Sequence, residues 1–198
     1  MWSAGLDFRG GVAMFEDFSE RARRIVFFSR KVAGERGAAA IGVEDLTQAL
    51  VLEDQADYAK VFPESAVPGT ARMALPTHRP FFTTGIAAEI QRRLEPLMPS
   101  NAKPLPSSVD MPVSDALAEL FATAIKLGEE LRGEPARPSR IQMGRPARPS
   151  RIQVGHVEPL HLLAAALSDE TSATAEVLKR AGITKEAVIA AIKTGEYS

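Results

Sequence analysis

The sequence predicts an all-α protein built as a pseudo-twofold pair of four-helix repeats. Two observations predict it. Apolar residues recur at three- and four-residue spacing with no strand-like alternation, and the helical pattern of the first half returns in degenerate form in the second.

The first helix is expected between Asp17 and Arg36, where Phe18, Ala22, Ile25, Val26, Ser29, Val32 and Ala33 form one face and Gly34 and Gly37 supply stop signals. The second should begin near Val43 or Glu44 and bury Leu46, Ala49 and Leu50. Glu44 then stands in a first turn, where the helix dipole favours a carboxylate. A short helical piece is expected around Ala56 to Phe62, after which nine of the 14 prolines fall between Pro63 and Pro112 and break the pattern. Thr84 to Leu94 interrupts that stretch as a short helix with Ile86, Ile90 and Leu94 on one side.

The second half opens at Ser114, a good N-cap, with a helix running to about Leu131. Its stripe of Leu117, Leu120, Phe121, Ala124, Gly128 and Leu131 lies 95 residues after Ala22, Ile25, Val26, Ser29, Ala33 and Arg36. The next helix, Pro159 to Leu167, overlies Leu46, Ala49, Leu50 and Glu53 at a shift of 114, which sets Glu158 on Glu44. The two shifts differ by 19 residues, 11 of which are explained by residues 135–144 (PARPSRIQMG) recurring as 146–155 (PARPSRIQVG), a tandem duplication whose prolines exclude a regular helix. Two more helices follow: Ala175, Val177, Leu178 and Ala181 face the core in one, which stops at Gly182. Thr184 caps the other, with Ala187, Val188, Ala191 and Ile192 inward.

The expected organisation is therefore a disordered Gly-rich extension over 1–13, a first repeat over 14–96, a Pro-rich linker over 97–112, and a second repeat over 113–198 carrying an Arg/Pro-rich insertion at 133–155.

Composition narrows the function classes. With 24 basic and 25 acidic residues, no global field draws the chain to nucleic acid or membrane. The absence of cysteine removes disulfides, thiolate catalysis and the commonest zinc sites, and makes the cytoplasm the default location. No run approaches the roughly 18 apolar residues of a membrane span. His156 and His161, with distant His78, lack further ligands, so no metal is expected. No nucleophile and base arrangement or phosphate loop is visible, so neither an enzyme nor a cofactor is expected. One local charge patch stands out: Arg137, Arg140, Arg145, Arg148 and Arg151 lie in a stretch without acids. It offers an alternative function, contact with nucleic acid or an acidic partner through charge, although no interleaved aromatic supports base stacking.

Four segments resemble the Clp N-terminal (Clp repeat) domain of ClpA/ClpC-type ATP-dependent unfoldases. Met14-Phe15-Glu16-Asp17-Phe18-Ser19-Glu20-Arg21-Ala22 is similar to that family's opening, and Ile41-Gly42-Val43-Glu44-Asp45-Leu46 to its Ile-Gly-Thr-Glu-His-Leu motif. Val154-Gly155-His156-Val157-Glu158-Pro159-Leu160 resembles the same motif one residue longer, and Ala175-Glu176-Val177-Leu178-Lys179-Arg180-Ala181-Gly182-Ile183 also fits. The resemblance implies a double repeat that binds protein clients, adaptors or a Clp-type unfoldase, and acts as adaptor, modulator or decoy in ATP-dependent proteolysis. Some ClpC-type members recognise phosphoarginine, a carboxylate taking the guanidinium while a helix N-terminus and a hydroxyl hold the phosphate. Carried over by position, the implied binding residues are Glu44 with Ser19 and Arg23, and Glu158 with Ser114. Val43 and Val157 replace the family's usual Thr, Asp45 and Pro159 its His, and Ala118 a basic residue.

Overall fold

The computed structural model describes residues 15–57, 79–100, 103–105, 110–131 and 156–195. The expected extension over 1–13, most of the short helix expected at 56–62, His78, and the insertion with Arg137, Arg140, Arg145, Arg148 and Arg151 lie outside the described residues. Seven α-helices are described: α1 (Glu20–Glu35), α2 (Val43–Asp54), α3 (Thr84–Leu94), α4 (Asp115–Glu130), α5 (Pro159–Ala166), α6 (Ala173–Arg180) and α7 (Lys185–Thr194). A 3-10 turn, Glu95–Leu97, extends α3, and the described residues contain no strand beyond two isolated bridges.

The helix starts are set by short polar side chains. Ser19, Thr83, Ser114, Ser172 and Thr184 each accept a hydrogen bond from a backbone N–H in the first turn of the helix that follows. In α1 the buried face is Ala22, Ile25, Phe28, Ser29, Ala33 and Gly34. Phe28 thus enters the core, while the expected Val26 and Val32 are only partly buried. Gly34 does not stop the helix. It lies inside the last turn, where the Leu105 carbonyl passes 3.4 Å from the position a Cβ would take. The stop is Gly37, at φ 68°: its N–H donates to Gly34 O and that of Ala38 to Ala33 O, a Schellman ending that favours glycine.

In α2 every residue from Asp45 to Asp54 except Gln48 is buried, three acids included. Each acid has its donors. Asp45 takes a bidentate pair from Arg36 at 2.7 and 2.8 Å and caps the Gly42 N–H at 2.8 Å. Glu53 takes a second bidentate pair from Arg21 at 3.1 and 3.0 Å. Asp54 accepts the Phe81 and Phe82 N–H groups, which ties the chain entering α3 to the end of α2. A buried carboxylate without such partners would cost several kcal/mol, so these three pairings fix how α1, α2 and α3 sit together.

The two halves are joined by crossed backbone pairs. Phe18 bridges Val157, with Ser19 N–H to Val157 O at 3.0 Å and Val157 N–H to Asp17 O at 2.8 Å. Ile41 bridges Val113 in the same way, through Ser114 N–H to Ile41 O at 3.0 Å and Ile41 N–H to Pro112 O at 2.9 Å. Each half therefore lends its pre-α1-type residue to the other half's second helix. Phe15, Phe18 and Phe121 meet edge to face at centroid distances of 5.2 to 5.7 Å, and one hydrophobic cluster runs through both halves.

Phe121→Ala removes the fully buried ring that α4 places against Phe15 and Phe18; urea unfolding should show a loss of about 3–5 kcal/mol. Arg36→Met leaves Asp45 buried and short of its charge partner, and should cost about 3 kcal/mol by the same measurement.

Candidate functional site

The candidate residues occupy the two helix-start junctions made by the crossed pairing. Ser19 and Ser114 are N-caps, accepting from Ala22 N–H and Leu117 N–H at 3.3 Å each. Through their own N–H groups Ser19 adjoins Val157 and Ser114 adjoins Ile41. The neighbourhoods are thus exchanged relative to the sequence expectation: Ser114 lies at the junction that leads into Glu44, and Ser19 at the one that leads into Glu158. Arg23 does not join Glu44 either. Its guanidinium donates to the carbonyls of Phe15 at 2.9 Å and Glu16 at 3.0 Å, pinning the chain that enters α1.

The register of the second repeat also moves. Val157 is the bridge counterpart of Ile41, so Glu158 corresponds to the N-cap Gly42, and Leu160 to Glu44, two positions from the sequence alignment. The cause lies in α5, where all eight residues are buried. A helix apolar on every side has no stripe to set its phase. What sets it is the cap: Asp45 and His161, each three residues past its N-cap, accept the N–H of Gly42 and Glu158 at 2.8 and 2.9 Å. The His161 ring is buried and accepts through Nδ1, so it is neutral, and burial pushes its pKa below the ordinary 6.5 against a smaller opposing effect of the Glu158 hydrogen bond.

Two grooves open beside these junctions. The larger, about 540 Å³, is lined by Phe15, Arg23, Val26, Phe27, Arg30, Ile41, Met111 and Val113 among others. Phe27 is 55% exposed there, the one large apolar side chain so exposed among the described residues. Sequence reading passed over it because Phe27 and Phe28 are adjacent and only one can face inward; the surplus aromatic was the available signal. The second groove, about 290 Å³, is lined by Glu44, Glu119, Ser168, Asp169, Ser172 and Thr174 among others. Asp169 accepts from the Thr171 hydroxyl at 2.7 Å and its N–H at 3.1 Å, which holds its pKa below the ordinary carboxylate value. Among the described residues no group of three or more His, Cys, Asp or Glu is placed to hold a metal ion, and no helix is long and apolar enough to cross a membrane.

This all-α fold is similar to that of solved Clp-type and Hsp104 N-terminal domains. The chain is similar to the N-terminal domain of the caseinolytic protease associated chaperone ClpD from Arabidopsis thaliana, with 19% identity and a TM-score of 0.52 over 91% of this chain and 98% of that one. It is similar to the Hsp104 N-terminal domain from Candida albicans, with 15% identity, a TM-score of 0.50 and 88% of each chain covered. A structure from work on a malarial protein secretion system aligns at 17% identity and a TM-score of 0.57 over 90% of this chain and 94% of that one. No protein-family model matches the sequence, and no curated protein matches it.

The His161 cap gives the fold a pH dependence with a definite sign. Its folded pKa lies below 6.5, so the unfolded chain binds the extra proton first; the stability it contributes is present above 6.5 and is lost as pH falls from there through the folded value. Thermal unfolding between pH 7.5 and 5 should show this loss, and His161→Gln, which keeps a capping acceptor without a titrating ring, should flatten that part of the profile.

Proposed function

We propose that this chain is a protein-binding module of ATP-dependent unfolding and proteolysis, engaging clients, adaptors or a Clp-type unfoldase as an adaptor, modulator or decoy. The observation that carries the reading is the fold, which extends over 98% of the ClpD N-terminal domain. The exposed Phe27 in its groove supports it, since an aromatic side chain beside an apolar recess is the usual anchor of a protein interface. Arg23 and Arg30 line that recess together with Glu16 and Asp110, so charged groups of both signs surround its apolar residues.

A phosphoarginine-tagged client is a narrower form of the same proposal. The surroundings of Glu44 disfavour it: Glu119 and Asp169 line the same groove and no basic residue does, so a phosphate placed there meets like charge. At the other junction Glu158 serves as the N-cap residue of α5.

Affinity capture from the native extract tests the proposal. The parent protein should enrich a Clp-type unfoldase, its clients or its adaptors. Phe27→Asp, an exposed change that spares the core, should lower that recovery by about tenfold, as for loss of an interface aromatic. Recovery of none of these proteins by the parent counts against the reading.

A further inference from the structure

The larger groove combines an apolar lining with a fixed point of entry. Val26, Phe27, Ile41, Met111 and Val113 line it, and Phe27 leaves 55% of its surface to solvent. Phe15 and Glu16 line it too, and Arg23 donates to the carbonyls of both, at 2.9 and 3.0 Å. The described chain therefore begins at the groove, and the residues ahead of Phe15 start from its wall.

Those 14 residues, MWSAGLDFRGGVAM, do not have the composition of a solvated arm. Eight of the 14 are apolar, Trp2, Leu6 and Phe8 among them, a larger share than the 45% of the whole chain, and only Asp7 and Arg9 are charged. Segments that stay in solvent are poor in apolar residues and rich in charge. Gly10 and Gly11 stand between the three large side chains and Phe15, and a Gly-Gly pair is a favoured point of reversal. The four residues from Phe15 back to Gly11 span at most about 14 Å, and the four from Gly10 to Leu6 cover about the same distance in return, so a reversal there brings Phe8 and Leu6 back beside Phe15. The charges are compatible as well, since Asp7 and Arg9 come to a lining that holds both signs, Arg23 and Arg30 with Glu16 and Asp110. Attachment does the rest. A short flexible link gives an effective concentration on the order of 1 mM, so a contact with a Kd of about 0.1 mM, weak for a separate partner, keeps the segment docked about nine tenths of the time.

We infer that residues 2–8 of the same chain occupy this groove, with Trp2, Leu6 and Phe8 laid over Phe27 and the apolar lining beside it. The segment is then a built-in competitor for any protein that uses the groove. That consequence rests on the protein-binding reading; the docking itself does not.

Trp2 is the only tryptophan, so the fluorescence of the whole chain reports its docking without a label. Acrylamide, an uncharged quencher, should reach it poorly in the parent protein. Phe27→Asp, an exposed change that spares the core, should raise the quenching about fivefold, because a tenfold loss of affinity takes the undocked share from about one tenth to about one half. In NMR spectra of the whole chain, the combined change Trp2→Ala, Leu6→Ala and Phe8→Ala should shift the amides of Val26, Phe27, Ile41 and Val113 and leave those of α7 in place; it alters no described residue, so it decides the matter even if Phe27→Asp fails to fold. Quenching in the parent as strong as that of free acetyl-tryptophan amide overturns the inference, and so do amide shifts that miss the groove. Emission that moves to the red on dilution also overturns it, since the occupant is then the segment of a second copy. With docking established, the triple-alanine protein should recover more unfoldase or client from extract than the parent; if neither recovers any, the docking stands and the protein-binding reading falls.

Discussion

The crossed pairing of Phe18 with Val157 and Ile41 with Val113 is the constraint on which the rest of the structure depends. Each crossing contributes only two backbone hydrogen bonds, and the net worth of each is about 1 kcal/mol. Their importance is geometric. They place the N-cap serine of each first helix beside the start of the other half's second helix, so neither half can close its own helix-start junction. Both junctions, and the grooves next to them, are products of the two halves together. The aromatic trio reinforces this, since Phe15 and Phe18 precede α1 but pack on Phe121 of α4.

Within each half the second helix carries the centre of the core, and the two halves solve its polar ends differently. In α2 the buried Asp45, Glu53 and Asp54 are matched by Arg36, Arg21 and the amides of Phe81 and Phe82. In α5 the N-terminal cap falls to a neutral histidine, and the C-terminal end passes into Ser168 and Asp169 instead of a buried acid with an arginine partner. Among the described residues the second repeat therefore has no counterpart of the Arg36–Asp45 and Arg21–Glu53 pairs. A pair fully satisfied within the fold has little to offer a ligand, whereas charge without an internal partner does.

Much of the fold was legible in the sequence wherever a helix is half exposed. Thr84–Leu94 and the α4 stripe of Leu117, Leu120, Phe121, Ala124 and Gly128 are found as expected, because a solvent face gives the period its contrast. The serine cap at Ser114 and the stop at Gly182, which has φ 84°, were equally readable. The misreadings fall where that contrast is absent. The uniformly buried α5 could be slid by two residues without spoiling its hydrophobic match, and that slip set Glu158 on Glu44. In α1 the neighbouring Phe27 and Phe28 left the phase ambiguous, and a glycine needed for close approach to Leu105 looked like a terminator.

The candidate site was less legible than the fold for a related reason. Ser19, Arg23 and Glu44 are close in pattern but are divided among two junctions by a crossing that joins residues far apart in the chain, and local spacing contains no record of it. Once the crossing is known, the internal repeat becomes informative in a new way. Two sites of common architecture now differ at a few positions, and a difference such as Arg21 against Ala116 is a substitution observed within one molecule.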